Sequence, residues 1–181
     1  MSQNCNNNFL SPTGFRLDFP GFESIGFTCT ESSLPGISMS GPIQATPLND
    51  FQLTGDKLTY QNLTVKFLID EDLSNYTMIH NWMVGITYPQ YLEQWQELAK
   101  SLKEKKFTST NNYEQLDCVL SILNSNYNTI ATVKYINAFP VDLTGIAFST
   151  DQTDIVYATA TATFSYTYYE IGNKNGRRIT L

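Results

Sequence analysis

A mainly β (α+β) fold is predicted for this chain: packed antiparallel sheets or a β-barrel, flanked by helices. Three observations predict it. Residues 154–171, read DIVYATATATFSYTYYEI, alternate over more than a dozen positions. Val156, Ala158, Ala160, Ala162, Phe164, Tyr166 and Tyr168 fall on one face, and Tyr157, Thr159, Thr161, Thr163, Ser165 and Thr167 on the other. A period of two with β-branched and aromatic residues marks a strand between two different environments. At about 3.3 Å per residue it would span about 50 Å. Second, Leu63, Val65, Phe67 and Ile69 alternate with Thr64 and Lys66, the pattern of a core strand. Third, only two stretches carry helical spacing.

The elements follow in order. Residues 1–12 are Asn-rich and read as an N-terminal arm. Residues 14–19 and 26–30 read as short strands separated by Pro20-Gly21, and residues 33–36 as a turn. Residues 37–46 can extend, but Gly41-Pro42 and Pro47 keep them out of a sheet centre. Residues 47–58 read as a long exposed loop. After the strand at 63–69, Asp70-Glu71-Asp72 leads into a helix over 73–84, with Asp72 or Ser74 as cap and Gly85 as its end. Its apolar stripe is Leu73, Tyr76, Ile79 and Met83, joined by Trp82. A second helix is expected over 90–105, from Leu92, Trp95, Leu98, Ala99 and Leu102. Strands follow at 116–124, 130–138 and 143–149. The alternating segment closes the fold, and a short basic tail carries Lys174, Arg177 and Arg178.

The chain has 181 residues, enough for one domain with a sizeable core, and a net charge of −6. An acidic chain is a poor electrostatic partner for nucleic acid. Cys5, Cys29 and Cys118 are far apart and form no CxxC pair, which favours reduced thiols. The N-terminus has no apolar signal region, and no run approaches the ~20 apolar residues of a membrane span. The expectation is a soluble protein made in the cytoplasm, with no membrane anchor.

No reactive constellation is visible. His80 is the one histidine and lies on the first expected helix. A lone helical histidine packs or faces solvent far more often than it catalyses. Asp70-Glu71-Asp72 resembles a metal cluster, but at a strand-to-helix junction capping and solvation explain it. Tyr166, Tyr168 and Tyr169 could stack bases, yet no Arg or Lys interleaves them, so core packing and interface contact are the better reading. No enzyme, no catalytic residue, no metal and no cofactor is expected.

Several motifs arrive in a recognisable order: Leu34-Pro35-Gly36-Ile37, Gly55-Asp56-Lys57-Leu58, the strand from Leu63 to Asp72, Asn75-Tyr76 leading to Asn81-Trp82, Ala138-Phe139-Pro140-Val141-Asp142-Leu143, Phe148-Ser149-Thr150-Asp151, and Phe164 to Glu170. In this order they resemble the tail tube proteins of contractile-tailed, T4-like bacteriophages, including their tube-initiator relatives. The resemblance covers about residues 26–86 and 130–171. A helix-loop insertion at 88–115 and a C-terminal tail at 172–181 depart from it, within a single tail-tube-like domain 1–181.

The resemblance implies a job. Hexameric rings would stack into a tube in the virion tail, assembled late in the host cytoplasm, through which DNA passes without specific binding. The partners it implies are other copies of the chain, the tail sheath protein, and baseplate and tape measure proteins. The expected function is a structural tail tube subunit. The alternative is a baseplate tube initiator or tail terminator. An all-β carbohydrate-binding module is the alternative from another class. Ile43, Leu48, Phe51 and Leu53 are the expected ring-stacking residues, because a long loop with exposed apolar side chains suits burial by a neighbouring ring. Thr159, Thr161, Thr163 and Ser165, or the matching face of residues 63–69, are the expected lumen wall.

Overall fold

A computed structural model of the chain describes residues 10–20, 23–87, 91, 93, 94, 96, 100, 115–148 and 157–173. Its elements in chain order are β1 (Phe15–Asp18), α1 (Glu23–Thr28), β2 (Cys29–Ser32), β3 (Ile37–Met39), β4 (Ile43–Gln44), β5 (Phe51–Gln52), β6 (Leu58–Tyr60), β7 (Leu63–Leu68), α2 (Ser74–Thr87), β8 (Leu116–Leu123), β9 (Thr129–Leu143), β10 (Thr159–Ser165) and β11 (Tyr168–Asn173). The mainly β expectation holds.

A seven-stranded antiparallel sheet has the order β1-β8-β9-β10-β7-β2, with β11 also paired to β9. Its two ends, β1 and β2, lie near each other, with α1 beside β1. The sheet therefore curls toward closure around one core. That core draws Leu17 and Phe19 from the β1 segment, Ile25 from α1, and Leu63, Val65 and Phe67 from β7. Ile79 and Trp82 of α2 join Cys118 and Leu120 of β8, Val133 and Tyr135 of β9, and Ala160, Ala162 and Phe164 of β10. β7 alternates buried and exposed without error, as its sequence predicts.

β9 is the spine. Its first half pairs with β8 on one side and β11 on the other, and its last residues pair with β10. Asn137 sits at the bend with φ 57°. Asparagine tolerates this left-handed conformation better than most residues. The Asn137 amide donates to Asp117 Oδ1 at 3.2 Å, and Asp117 Oδ2 meets Lys134 Nζ at 2.8 Å. The buried face changes phase there: Val133 and Tyr135 point inward before the bend, Ala138 and Pro140 after it.

This bend explains two corrections. The strand expected at 130–138 runs on to Leu143 as β9, and of the strand expected at 143–149 only Leu143 is strand, since residues 144–148 are not and residue 149 lies outside the described residues. Pro140 is tolerated because residues 139–143 pair with β10 alone among the described residues, so the missing N–H lies on an open edge. The single long strand expected over 154–171 is two, β10 and β11, interrupted at Tyr166-Thr167 opposite Asn137. Register carries through: Ser165 pairs with Phe139 and, three residues on, Tyr168 pairs with Ile136. Alternation does not carry through. Tyr168 is exposed, and Tyr169 packs against the core instead.

Three further expectations change. Residues 26–30 form the end of α1 and the start of β2, not one strand. Ile25 plugs the core, and Gly26 lies so close to Leu17 that a Cβ would stand 2.2 Å from its carbonyl oxygen. Packing imposes this short helix against weak local preference. The helix expected over 73–84 is Ser74–Thr87, and Gly85 is buried inside it rather than ending it. Its inward stripe contains Asn75, Ile79, Trp82 and Gly85, while Leu73 is largely exposed at the turn before it. Among the described residues Asn75 is the one buried polar side chain: its Nδ2 donates to Leu68 O at 2.7 Å and Thr28 Oγ1 at 3.1 Å, and its Oδ1 accepts from the Tyr76 amide at 2.8 Å. Residues 47–58, expected as irregular loop, contain β5 and the start of β6.

The second helix and the 88–115 insertion fall largely outside the described residues, where Glu93, Gln94, Gln96 and Lys100 are helical. The same holds for residues 1–9 of the N-terminal arm and 174–181 of the tail, whose first two positions, Gly172 and Asn173, belong to β11.

Candidate assembly surfaces

Residues 36–61 build a two-part arm. Near the body, β3 pairs with β6 through Ile37–Tyr60, Ser38–Thr59 and Met39–Leu58. Farther out, β4 pairs with β5 through Ile43–Gln52 and Gln44–Phe51. Between the two ribbons the strands pinch. A Cβ on Gly41 would lie 1.7 Å from Leu53 O, and one on Gly55 would lie 2.0 Å from Ser40 O, so only glycine fits either place. The Leu53 amide donates to Pro42 O at 2.9 Å just beyond the waist.

The four expected stacking residues all lie on the outer part and are open to solvent: Ile43 69%, Leu48 98%, Phe51 56% and Leu53 47%. The pairing puts Phe51 beside Gln44, and Ile43 on the opposite face with Gln52. Sequence reasoning missed the inner ribbon, where Ile37, Met39 and Leu58 are also exposed and share one face. The spacing of two between Ile37 and Met39, and between Leu58 and Tyr60, was the available signal. Apolar side chains so gathered on a projecting ribbon make this arm a candidate contact surface.

The arm joins the body at a group of four tyrosines. Tyr60 packs edge-on to Tyr169 with centroids 5.4 Å apart, and Tyr135 packs against Tyr166 at 5.0 Å. Burial pushes the Tyr166 phenol up to about 12 and holds the Tyr135 phenol neutral well beyond the ordinary range.

The hydroxyl side chains of β10 lie on the face turned away from the core. Thr159 is exposed, Thr161, Thr163 and Ser165 are half-buried, and Ala160, Ala162 and Phe164 fill the core behind them. It is not wholly uncharged. Lys66 of β7 sits beside Thr161, and Asp142 of β9 beside Thr163. The other half of the sheet shows solvent a charged face: Asp18 of β1, Lys134 of β9 and Glu170 of β11 fall in one cross-strand row, with Val119 between the first two.

Reactive chemistry finds no assembly point among the described residues. No group of three His, Cys, Asp or Glu side chains is placed to hold a metal, and no helix is long and apolar enough to cross a membrane. His80 is exposed on α2 beside Asn81. A cleft of about 720 Å³ lies at the sheet seam, lined by residues such as Phe15, Leu17, Phe19, Gly26 and Cys29. Burial pushes the Cys29 thiol up to about 11, the wrong direction for a nucleophile.

A curled antiparallel sheet with an exposed apolar ribbon offers a surface suited to contact with other protein. The family profile for phage tail tube proteins matches residues 6–172, and the chain belongs to that family of structural tail components. The tail tube terminator protein of Enterobacteria phage T4 is 25% identical over 179 residues, covering 95% of this chain and 93% of that protein. Among solved structures, the tube-terminating cap of the anti-feeding prophage is similar at TM-score 0.58 and 15% identity, covering 96% of this chain and 99% of that one. The sheath/tube terminator of the PVC extracellular contractile injection system is similar at TM-score 0.56 and 15% identity, covering 93% and 99%. A chain of the PVC sheath–tube complex is similar at TM-score 0.56 and 16% identity, covering 93% and 94%.

Proposed function

We propose that this chain is the terminator of a contractile phage tail tube, a ring of subunits that seats on the last ring of the tube and ends its growth. The reading rests on one observation above the rest: an end-to-end match to a tube terminator, with no large segment unaccounted for in either chain. Of the roles the sequence suggested, main tube subunit, baseplate tube initiator or tail terminator, this match favours the last. The ring is expected to be a homohexamer in the virion tail, with the tube below it and sheath proteins around it. The proposed seat is the outer ribbon, with Phe51 and Leu53 as anchors, each worth ~1.5–3 kcal/mol when fully buried. The proposed lumen wall is the β10 face of Thr159, Thr161, Thr163 and Ser165. Its small hydroxyl side chains and the chain's net charge of −6 offer phosphates little to hold.

The test is assembly. Purified protein is expected to give closed rings but no long tubes, and to cap one end of tubes purified from the same phage. Long tubes of this protein alone, seen by negative-stain microscopy, would return the reading to a main tube subunit. Phe51→Asp with Leu53→Asp is expected to leave the ring intact and abolish capping. Normal capping by that double variant would move the seat elsewhere.

A further inference from the structure

The arm leaves the body through two legs, one at Pro35 and the other at Gln61. Among the described residues, two hydrogen bonds tie residues 35–61 to the rest of the protein, and both come from tyrosine hydroxyls. Tyr166 donates to Gln61 O at 2.7 Å, and Tyr169 donates to Pro35 O at 3.4 Å. The legs also hold each other: the Gln61 amide donates to Gly36 O at 3.1 Å, and the Gly36 amide to Gln61 Oε1 at 3.3 Å. We infer that Tyr166 and Tyr169 are positioning residues that fix the direction in which the arm is presented, one hydroxyl clamping each leg.

Three observations carry this beyond ordinary packing. First, the core beside these rings accepts phenylalanine, as at Phe164, so a hydroxyl is not needed to fill space. Second, both donors lie at or just past the interruption between β10 and β11, opposite the Asn137 bend. The strand break that spoils the alternation is what brings both hydroxyls to the arm root. Third, Tyr60, the last residue of the inner ribbon, lies against both clamp rings, with centroids 6.1 Å from Tyr166 and 5.4 Å from Tyr169. A ribbon held at two carbonyls and one ring cannot pivot about a single leg. Sequence reasoning took Tyr166 and Tyr169 as core or interface aromatics and gave their hydroxyls no task.

The inference rests on the reading of the arm as the contact with the tube, and its test separates the two. Tyr166→Phe and Tyr169→Phe, singly and together, are compared with the parent protein by hydrogen exchange and by capping of purified tubes. In the double variant, exchange over residues 37–60 is expected to quicken by about tenfold, while β7–β9 amides keep their protection. Capping is expected to need correspondingly more protein. Unchanged exchange over the arm overturns the clamp. A loosened arm with unchanged capping upholds the clamp and overturns the arm as the tube contact. If the double variant fails to fold, the singles decide: each must loosen the arm without loosening β7–β9, and equal loosening of both refutes the inference.

Discussion

Tyr135→Phe should make this protein more stable. The Tyr135 ring is fully buried on β9, packed on Tyr166 and on Tyr169 at 5.9 Å, and its hydroxyl finds no hydrogen-bond partner among the described residues. An unsatisfied buried polar group costs about 1–3 kcal/mol. Phenylalanine keeps the ring contacts, worth about 0.5–1.5 kcal/mol per aromatic pair, and removes that cost. The expected gain is therefore about 1–3 kcal/mol in unfolding free energy. For a chain of this size that corresponds to roughly 2–12 °C in Tm. Tyr166→Phe is the matched control. It removes a hydroxyl whose partner, Gln61 O, lies at the root of the arm, so it should loosen the arm and bring the body no gain in stability. Urea unfolding followed by circular dichroism measures both, with an unchanged slope showing that the native state keeps its compactness. A loss of 1 kcal/mol or more for Tyr135→Phe would refute the argument, because only a hydroxyl with a partner could produce it.

Two other outcomes follow from the same geometry. Gly55→Ala places a methyl against Ser40 O in the waist of the arm; the body should keep its melting temperature while the arm loses amide protection, and protection equal to the parent's would show that the pinch relaxes at no cost. Alkali should unfold the protein through its buried phenols: the Tyr166 phenol is raised to about 12 from an ordinary value of 10, so the stability it confers is complete below pH 10 and is lost as pH rises through 12. Tyr135→Phe should move that transition to higher pH, as read by the ultraviolet signal of phenolate.

The legible parts of this fold are those where local pattern and final environment agree. β7 alternates over its whole length and β8 from Leu116 to Leu120, and Ile79 and Trp82 lie inward where helical spacing puts them. The illegible parts are set by distant residues. Nothing local to residues 137–143 says that the strand survives its proline, because the open edge that permits it is decided by where β10 lies. Gly26 reads as a strand or turn residue until Leu17 is known to press on it. Asn75 reads as a polar residue near a helix start, and its burial follows from carbonyls and hydroxyls at Leu68 and Thr28. The arm was half legible. Its exposed Ile43, Leu48, Phe51 and Leu53 stood out as apolar residues in a loop-like stretch, but two-residue strands leave no periodicity to read. The tyrosine hydroxyls were invisible, since their acceptors are backbone carbonyls far away in the chain.

The order of the sheet has a consequence for how the chain is made. β1 emerges from the ribosome early, yet its partner is β8, with Phe15 opposite Ile122. At about 5–20 residues per second, more than a hundred residues of synthesis mean a wait of roughly 5–20 s. Through that interval Phe15, Leu17 and Phe19 lack their strand partner. The residues between them are Arg16 and Asp18, which bond to each other at 3.0 Å in the finished protein. A charge at every second position is what keeps a solitary strand from joining its copies on neighbouring ribosomes. For the ring proposed above, charges so placed favour association only after the sheet that would associate is complete.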